Sequence, residues 1–385
     1  MRFNVSDLKV LASKLSQAVE DSKLNPKSGW VELEADLDGV IFKVSNLDYY
    51  LEAKLKADLV SDNNDTFHAT VLANTFIPLV SKLEEDFVDI TEELNSLILR
   101  TEKSSYNFPI IKELGIAKVL DKISFKATSN TIKIDGDDLA SVAAINTKNI
   151  AGSITVKDYQ QYIYVDSIGG ITFTENTYVN NFKTPIDDAF KFLLTVNQAQ
   201  LLTIFKGVDN LNLEIEQKPT FSDLGSTNTN KIKLYNDNIT LIIITQEQNI
   251  VDQFPSIRLR ALAENNLETH VIIDRKTLDK ALARLMVFDK KFDILVLDYS
   301  KIVFKENELE LVSVKNKNFE IIPYVSSQNV VEKTSIIRFA DLVKQLKVCN
   351  SKEVDISYNQ RPVLIINNGD VKQIIPECII ADKKV

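Results

Sequence analysis

Cysteine is almost missing from this chain: Cys349 and Cys378 are the only two. Two thiols make no disulfide framework, and the count fits a reducing compartment. No stretch reaches the roughly 18 consecutive apolar residues that a membrane span requires. The start, Met1-Arg2-Phe3-Asn4-Val5-Ser6-Asp7, turns polar at once, unlike a signal peptide. The expectation is a cytoplasmic protein, in which Asn238-Ile239-Thr240 is not a glycosylation site. Histidine is equally scarce. His68 and His270 each precede a strand-like run, with no Cys or His partner nearby, so structural roles are expected. Neither a phosphate-cradling Gly-x-x-x-x-Gly-Lys-Ser/Thr loop nor a Gly-x-Gly-x-x-Gly turn occurs, so nothing supports nucleotide hydrolysis or dinucleotide binding. Ser6 and Lys9 have Ser-x-x-Lys spacing, but at a helix start this reads as a cap. Asp135-Gly136-Asp137-Asp138 lacks the remaining ligands of a calcium loop and reads as a turn into a helix. The acidic run from Glu84 to Glu93 reads as a solvated strand and loop face. No cofactor, no metal and no enzymatic activity are expected.

What is present is repetition. The 385 residues exceed the roughly 250–300 at which one core stops growing. A cassette recurs three times: a short strand, an amphipathic helix, an alternating strand, a turn and a further strand. The first copy runs His68–Leu72, Ala73–Leu83, Phe87–Thr91 and Ser96–Arg100. The second runs Phe192–Val196, Gln198–Gly207, Leu211–Ile215 and Ile239–Thr245. The third runs Thr334–Arg338, Phe339–Val348, Val354–Tyr358 and Pro362–Asn367. The period is far longer than the roughly 20–50 residues of solenoid repeats, so the repeating unit is a domain.

Hairpins precede each cassette. Trp30–Ala35 and Gly39–Val44 flank a turn at Leu37–Gly39. Tyr162–Val165 and Gly170–Thr174 flank Ser167–Gly169. Ile294–Leu297 and Ile302–Lys305 form the third pair, followed by a run from Glu308. Each domain also opens with a helix: Val5–Val19, capped by Asn4 or Ser6; Gly136–Ile150; and Asp274–Val287, capped by Asp274. Six helices are therefore expected. Pro109–Lys122 and Gln253–Asn266 read as linkers, and Gln217–Thr229 as a mobile loop. The fold class is α+β, with three similar domains at 1–119, 120–262 and 263–385.

The net charge is −9, which alone argues against a nucleic-acid coat. The distribution says otherwise. The six predicted helices carry twelve basic residues against six acidic ones, so the rest of the chain holds a larger negative excess. Lys and Arg are good helix formers, and for any one helix that alone accounts for them. Six helices in a threefold repeat favour a cationic surface that holds DNA loosely within an acidic shell. The first helix of the middle domain departs from this, with two Asp against one Lys.

At this point the chain resembles the bacterial DNA polymerase III beta subunit, the sliding-clamp family. The residues that carry the resemblance run the length of the chain. They are Met1–Leu8, Leu51–Leu55 through Thr70–Phe76, Leu97–Pro109, Asp252–Arg258 and Val371–Glu377. No single piece is a specific motif; the ordered set and the threefold repeat are. The resemblance implies three processivity-fold domains per chain and a head-to-tail homodimer ring with helices lining a central hole. Double-stranded DNA would pass through it, contacted without regard to sequence. The DNA-facing residues would be Lys9, Lys14, Lys82, Lys148, Lys206, Arg275, Lys276, Lys280, Arg284, Lys344 and Lys347. The dimer contact would use Tyr106 and Phe108 on an edge strand, with Met286, Val287 and Phe288 on the partner side. A pocket for short peptides of the replicative polymerase and the clamp loader would involve Thr174, Glu175, Asn176, Tyr178, Pro255, Leu259, Arg260, Ile375, Pro376 and Glu377. Glu175-Asn176-Thr177-Tyr178-Val179 departs from the family's usual Asp-Gly-His-Arg-Leu run. The chain also continues past the usual end from Cys378 onward, which implies altered peptide specificity. The function implied is a nucleoid-associated, cytoplasmic processivity factor. The alternatives are a rod-like three-domain scaffold, which needs no closed dimer or concentrated positive surface, and an enzyme with a site at a domain interface, for which no residue cluster can be assembled.

Overall fold

The computed structural model describes residues 1–59, 66–116, 120–150, 157–174, 176–217, 229–264, 267–289, 300–313, 317–348 and 351–378, without the side chains of 149, 150, 288 and 289. The fold is α+β and threefold repeated. The first repeat runs β1 (Arg2–Asn4), α1 (Val5–Ser16), β2 (Trp30–Ala35), β3 (Gly39–Ser45), β4 (Tyr49–Lys56), β5 (His68–Leu72), α2 (Ala73–Lys82), β6 (Phe87–Glu93), β7 (Ser96–Arg100) and β8 (Ser105–Pro109). The second runs β9 (Ile132–Ile134), α3 (Gly136–Ile150), β10 (Ile163–Asp166), β11 (Gly169–Phe173), β12 (Thr177–Asn181), β13 (Lys191–Leu194), α4 (Val196–Leu201), β14 (Leu211–Glu216), β15 (Thr229–Tyr235) and β16 (Ile239–Glu247). Two helices, α5 (Gln248–Gln253) and α6 (Ser256–Glu264), lead to the third. It runs β17 (Thr269–Asp274), α7 (Arg275–Asp289), β18 (Ser300–Phe304), β19 (Glu308–Ser313), β20 (Phe319–Pro323), β21 (Ser326–Gln328), β22 (Lys333–Ile337), α8 (Phe339–Leu346), β23 (Glu353–Tyr358), β24 (Val363–Asn368) and β25 (Val371–Pro376).

Every repeat makes the same two antiparallel sheets. Its first strand pairs with the second cassette strand, as in β1-β6-β7-β8. Its middle strands pair in the order β5-β2-β3-β4. Neighbouring repeats then join by one rule: the fourth strand of one lies against the last strand of the next. β4 pairs with β16 to make an eight-stranded sheet, and β12 pairs with β25 to make a nine-stranded one that β21 extends at its far edge. Among the described residues this rule leaves one fourth strand and one last strand unjoined, β20 and β8, each at one edge of a four-stranded sheet.

By compactness the chain forms two units, Met1–Ala143 with Asn197–Asp252, and Ala144–Val196 with Gln253–Val385. Both sheet junctions lie inside a unit, so strand pairing rather than repeat boundaries sets the compact bodies.

Local chemistry explains the elements. In α1 the buried face is Val5, Leu8, Leu11, Ala12 and Leu15, at helical spacing. Asn4 caps it, its side chain accepting from the Ser6 N–H at 2.8 Å. Asp135 caps α3 and Asp274 caps α7 in the same way. Gly39 opens β3 and Gly169 opens β11, the same place in two repeats. A Cβ at either would collide with a main-chain oxygen of the next strand, Leu55 or Asn180.

Some expectations are corrected. Gln253–Asn266 is not a bare linker but carries the end of α5 and α6, because Pro255 just ahead of Ser256 marks a helix start rather than a break. There are eight α-helices among the described residues rather than six, and the helix expected over Gln198–Gly207 is α4 followed by a 3-10 turn, Leu202–Phe205. The strand expected directly after Leu211–Ile215 is not β16. β15 lies between them, burying Asn230, Ile232 and Leu234 in strict alternation. The loop expected over 217–229, the strand Ile294–Leu297, Cys349, Glu175 and the tail after Cys378 fall wholly or mostly outside the described residues.

The end of the expected first linker and the residues after it are more than a connection. Residues 120–131 cross the eight-stranded sheet strand by strand. The buried Glu32 carboxylate of β2 accepts from the Leu120 N–H at 3.0 Å, and Lys122 donates to Glu52 of β4 at 2.8 Å. Lys231 of β15 donates to the Ser124 carbonyl, the Lys126 N–H reaches Glu216 of β14 at 2.7 Å, and Thr128 bonds Ile215.

Candidate nucleic-acid interface

The predicted cations fall on helices of both units. In the first unit α1 packs against α2. Lys9 and Lys14 of α1 are half-buried, while Lys82 at the end of α2 and Lys206 after the 3-10 turn are exposed. None of the four makes a salt bridge among the described residues. Lys14 and Lys206 come together. With Val10, Ser13, Gln17, Thr203 and Ile204 they line a concavity of about 260 Å³. Burial lowers the proton affinity of the Lys14 ammonium.

In the second unit α7 packs against α8. Asp274, Arg275, Lys276, Asp279, Lys280, Ala283 and Lys352 line a wider concavity of about 600 Å³. Three of its charges are committed: Arg275 pairs with Asp279 at 3.4 Å, and Asp274 caps α7. Hydrogen bonds from the Thr277 hydroxyl and N–H hold the Asp274 carboxyl below its ordinary range. Lys276, Lys280 and Lys352 remain without a salt bridge among the described residues. Lys352 was not among the predicted cations. It lies just before β23, and only tertiary pairing, the Arg275 N–H to its carbonyl at 3.0 Å, brings it to α7.

Arg284 is different. It clasps Glu320 of β20 through two bonds at 2.6 and 2.8 Å, so its charge is neutralised within the unit. Lys344 stands 3.9 Å from Asp341, while Lys347 and Lys148 are exposed.

The residues expected to form a peptide pocket do not converge as a set. Strand alternation separates them. Tyr178 lies opposite Gln373, and Ile375 shares Gln373's face, buried in the core with Phe304 and Tyr358. The other face of these strands carries α6. There Arg260 donates to Asn181 at 2.9 Å, to Asp166 at 2.5 Å and to the Gly169 carbonyl at 3.3 Å. Arg260 is only 6 % exposed, so it is a clasp between α6 and the sheet rather than a free ligand. Pro255 precedes α6, Leu259 is buried under it, and Pro376 alternates onto the same face and is exposed. Ile257, 85 % exposed on α6, was not foreseen. Thr174 and Asn176 form the turn between β11 and β12, with the Thr174 N–H donating to the Asn176 carbonyl at 3.1 Å. Glu377 is bound by Lys333 at 2.5 Å and by the Ser335 hydroxyl at 3.1 Å.

Of the expected dimer residues, Phe108 is buried, its ring edge-on to Phe76 at 5.6 Å between centroids, and Tyr106 is half-buried beside it on β8. Met286 packs on the core of the second unit and Val287 is exposed. The Phe288 side chain lies outside the described residues. On β20, Phe319 and Ile321 point outward, 59 % and 47 % exposed.

Two four-stranded antiparallel sheets and two helices thus recur three times, with neighbouring repeats joined by strand pairing. Among solved structures, the DNA polymerase III subunit beta of Pseudomonas aeruginosa matches 99% of this chain and 100% of its own, at 13% identity and a TM-score of 0.75. The DNA polymerase III beta subunit of Thermotoga maritima matches over 99% of both chains, at 14% identity and a TM-score of 0.74. The DNA polymerase sliding clamp of Bacillus subtilis also matches over 99% of both, at 15% identity and a TM-score of 0.72. No protein-family model matches the sequence, and no curated protein sequence does. The likeness is therefore one of fold, over the full length of the chain.

Proposed function

We propose that this protein is a DNA sliding clamp, a ring of two chains that encircles duplex DNA and tethers the replicative polymerase. It performs no chemistry itself and works in the cytoplasm, on the nucleoid. The observation that carries this reading is the end-to-end match in fold to DNA polymerase III beta subunits. The charge distribution supports it: lysines that make no salt bridge among the described residues gather in concavities on the helices of an otherwise acidic chain. Contacts to phosphate rather than to bases leave such a ring free to slide.

The joining rule supports the second chain. Fourth-strand to last-strand pairing occurs twice within the chain and leaves one free fourth strand, β20, and one free last strand, β8. Open edges of this kind invite strand addition. Two chains placed head to tail pair both edges twice and leave neither open. Polymerase and clamp loader would dock by short peptides on the α6 side, against Pro255, Ile257 and Pro376.

The test is topological. Protein loaded on nicked circular DNA should co-elute with it through a sizing column in moderate salt and be lost once the circle is cut. Equal loss from circle and linear DNA would overturn the clamp reading.

A further inference from the structure

Lys14 and Lys206 are remote in sequence yet line one concavity, with Ser13 and Gln17 completing its α1 wall. Helix spacing explains half of this: Val10, Ser13, Lys14 and Gln17 lie at i, i+3, i+4 and i+7, along one face. The tight turn Leu202–Phe205 explains the rest by presenting Lys206 toward α1. Thr203 lines the site but is not a donor to it, because its hydroxyl is spent on the Gln200 carbonyl at 2.7 Å. One carboxylate remote in sequence reaches the residue after Lys206: Asp137 accepts from the Gly207 N–H at 2.8 Å. Neither lysine pairs with it. Two ammonium groups, a hydroxyl and an amide thus face a small cavity with no acidic group among its lining residues.

We propose that this cavity is a single phosphodiester seat, in which Lys14 and Lys206 hold the same phosphate of the duplex. The inference rests on the DNA-clamp reading and sharpens it: the inner face has at least one discrete anion site, not merely a diffuse positive field. Like charges brought together without a carboxylate are stabilised by an anion between them, which is the chemistry of a phosphate.

A shared seat has a signature that independent contacts lack. Each phosphate neutralised contributes about 0.9 to the slope of log affinity against log salt. Anisotropy of a labelled short duplex, titrated with the intact protein over a salt series, measures that slope. The Lys14→Ala, Lys206→Ala double variant should lower it by about one, because one phosphate is lost, and either single variant, which leaves one ammonium on that phosphate, by less. A double variant that loses about two shows separate contacts and overturns the seat, as does an unchanged slope in all three. Thermal midpoints at or above wild type verify folding. Wild-type protein that shows no salt-dependent binding and no retention on circles would instead sink the clamp reading itself.

Discussion

Lys14 is held in a place that does not favour its charge. Burial lowers its proton affinity in the native state, while the unfolded chain keeps the ordinary value near 10.4. The native state therefore binds fewer protons than the unfolded one between those two values. Stability gains from this group as pH climbs through that window, and below it the charged side chain is a net cost. Lys14→Met should raise the thermal midpoint at neutral pH and lose that gain on going alkaline, while weakening DNA binding. An equal or lower midpoint would show that the stem packs better than its charge costs. Phe108 behaves oppositely. It fills the core against Phe76, so Phe108→Ala should cost about 3–5 kcal/mol in urea unfolding, whatever the protein concentration. A loss that vanished at high concentration would instead mark it as an interface residue. The sequence could identify both residues as worth attention, since helix periodicity and strand alternation were plain. It could not say that Phe108 faces inward, because an edge strand has apolar residues for either reason. Nor could it bring Lys352 to α7, a neighbourhood made only by folding.

Elements were legible where one period ran uninterrupted. α1, α2, α3, α7 and α8 declare themselves by apolar spacing and by Asn or Asp caps at three of their starts. The hairpin β2–β3 is marked by its Asp-Gly turn. β15 was hidden because its alternation follows directly on a polar stretch, and α6 because its inward face buries an arginine where a hydrophobe would have signalled a helix. The expected peptide-pocket residues come from three separate segments matched by resemblance, and such a match does not tell which face of a strand each one takes. β20 carries the clearest consequence at this scale. Its outward Phe319 and Ile321 leave an apolar strip on an open edge. Ile321→Lys places a charge there without entering the core, and should shift the dimer to monomer at concentrations where wild type is paired, with an unchanged thermal midpoint for the monomer. A fully dimeric variant would remove β20 from the contact.

For the whole molecule, the threefold repeat was visible in three aligned cassettes, since each domain solves the same packing problem with the same pattern. What could not be read was that neighbouring repeats fuse their sheets, because hydrogen bonding along strand edges leaves little trace in side-chain order. Light scattering over a dilution series should give about twice the 43.5 kDa chain mass. A trimer would break the six-domain count of a two-chain ring.

The segment at 120–131 gives the fused sheet a mechanical property. At the seam between β4 and β16 main-chain bonds join one repeat to the next, and a seam held by these alone can shear. Here a batten is fastened to β2 and β4 on one side and to β15 and β14 on the other, through a buried carboxylate and lysines at each end. Load on either repeat is carried past the seam instead of concentrating in it, so the sheet bends as a plank rather than folding like a hinge.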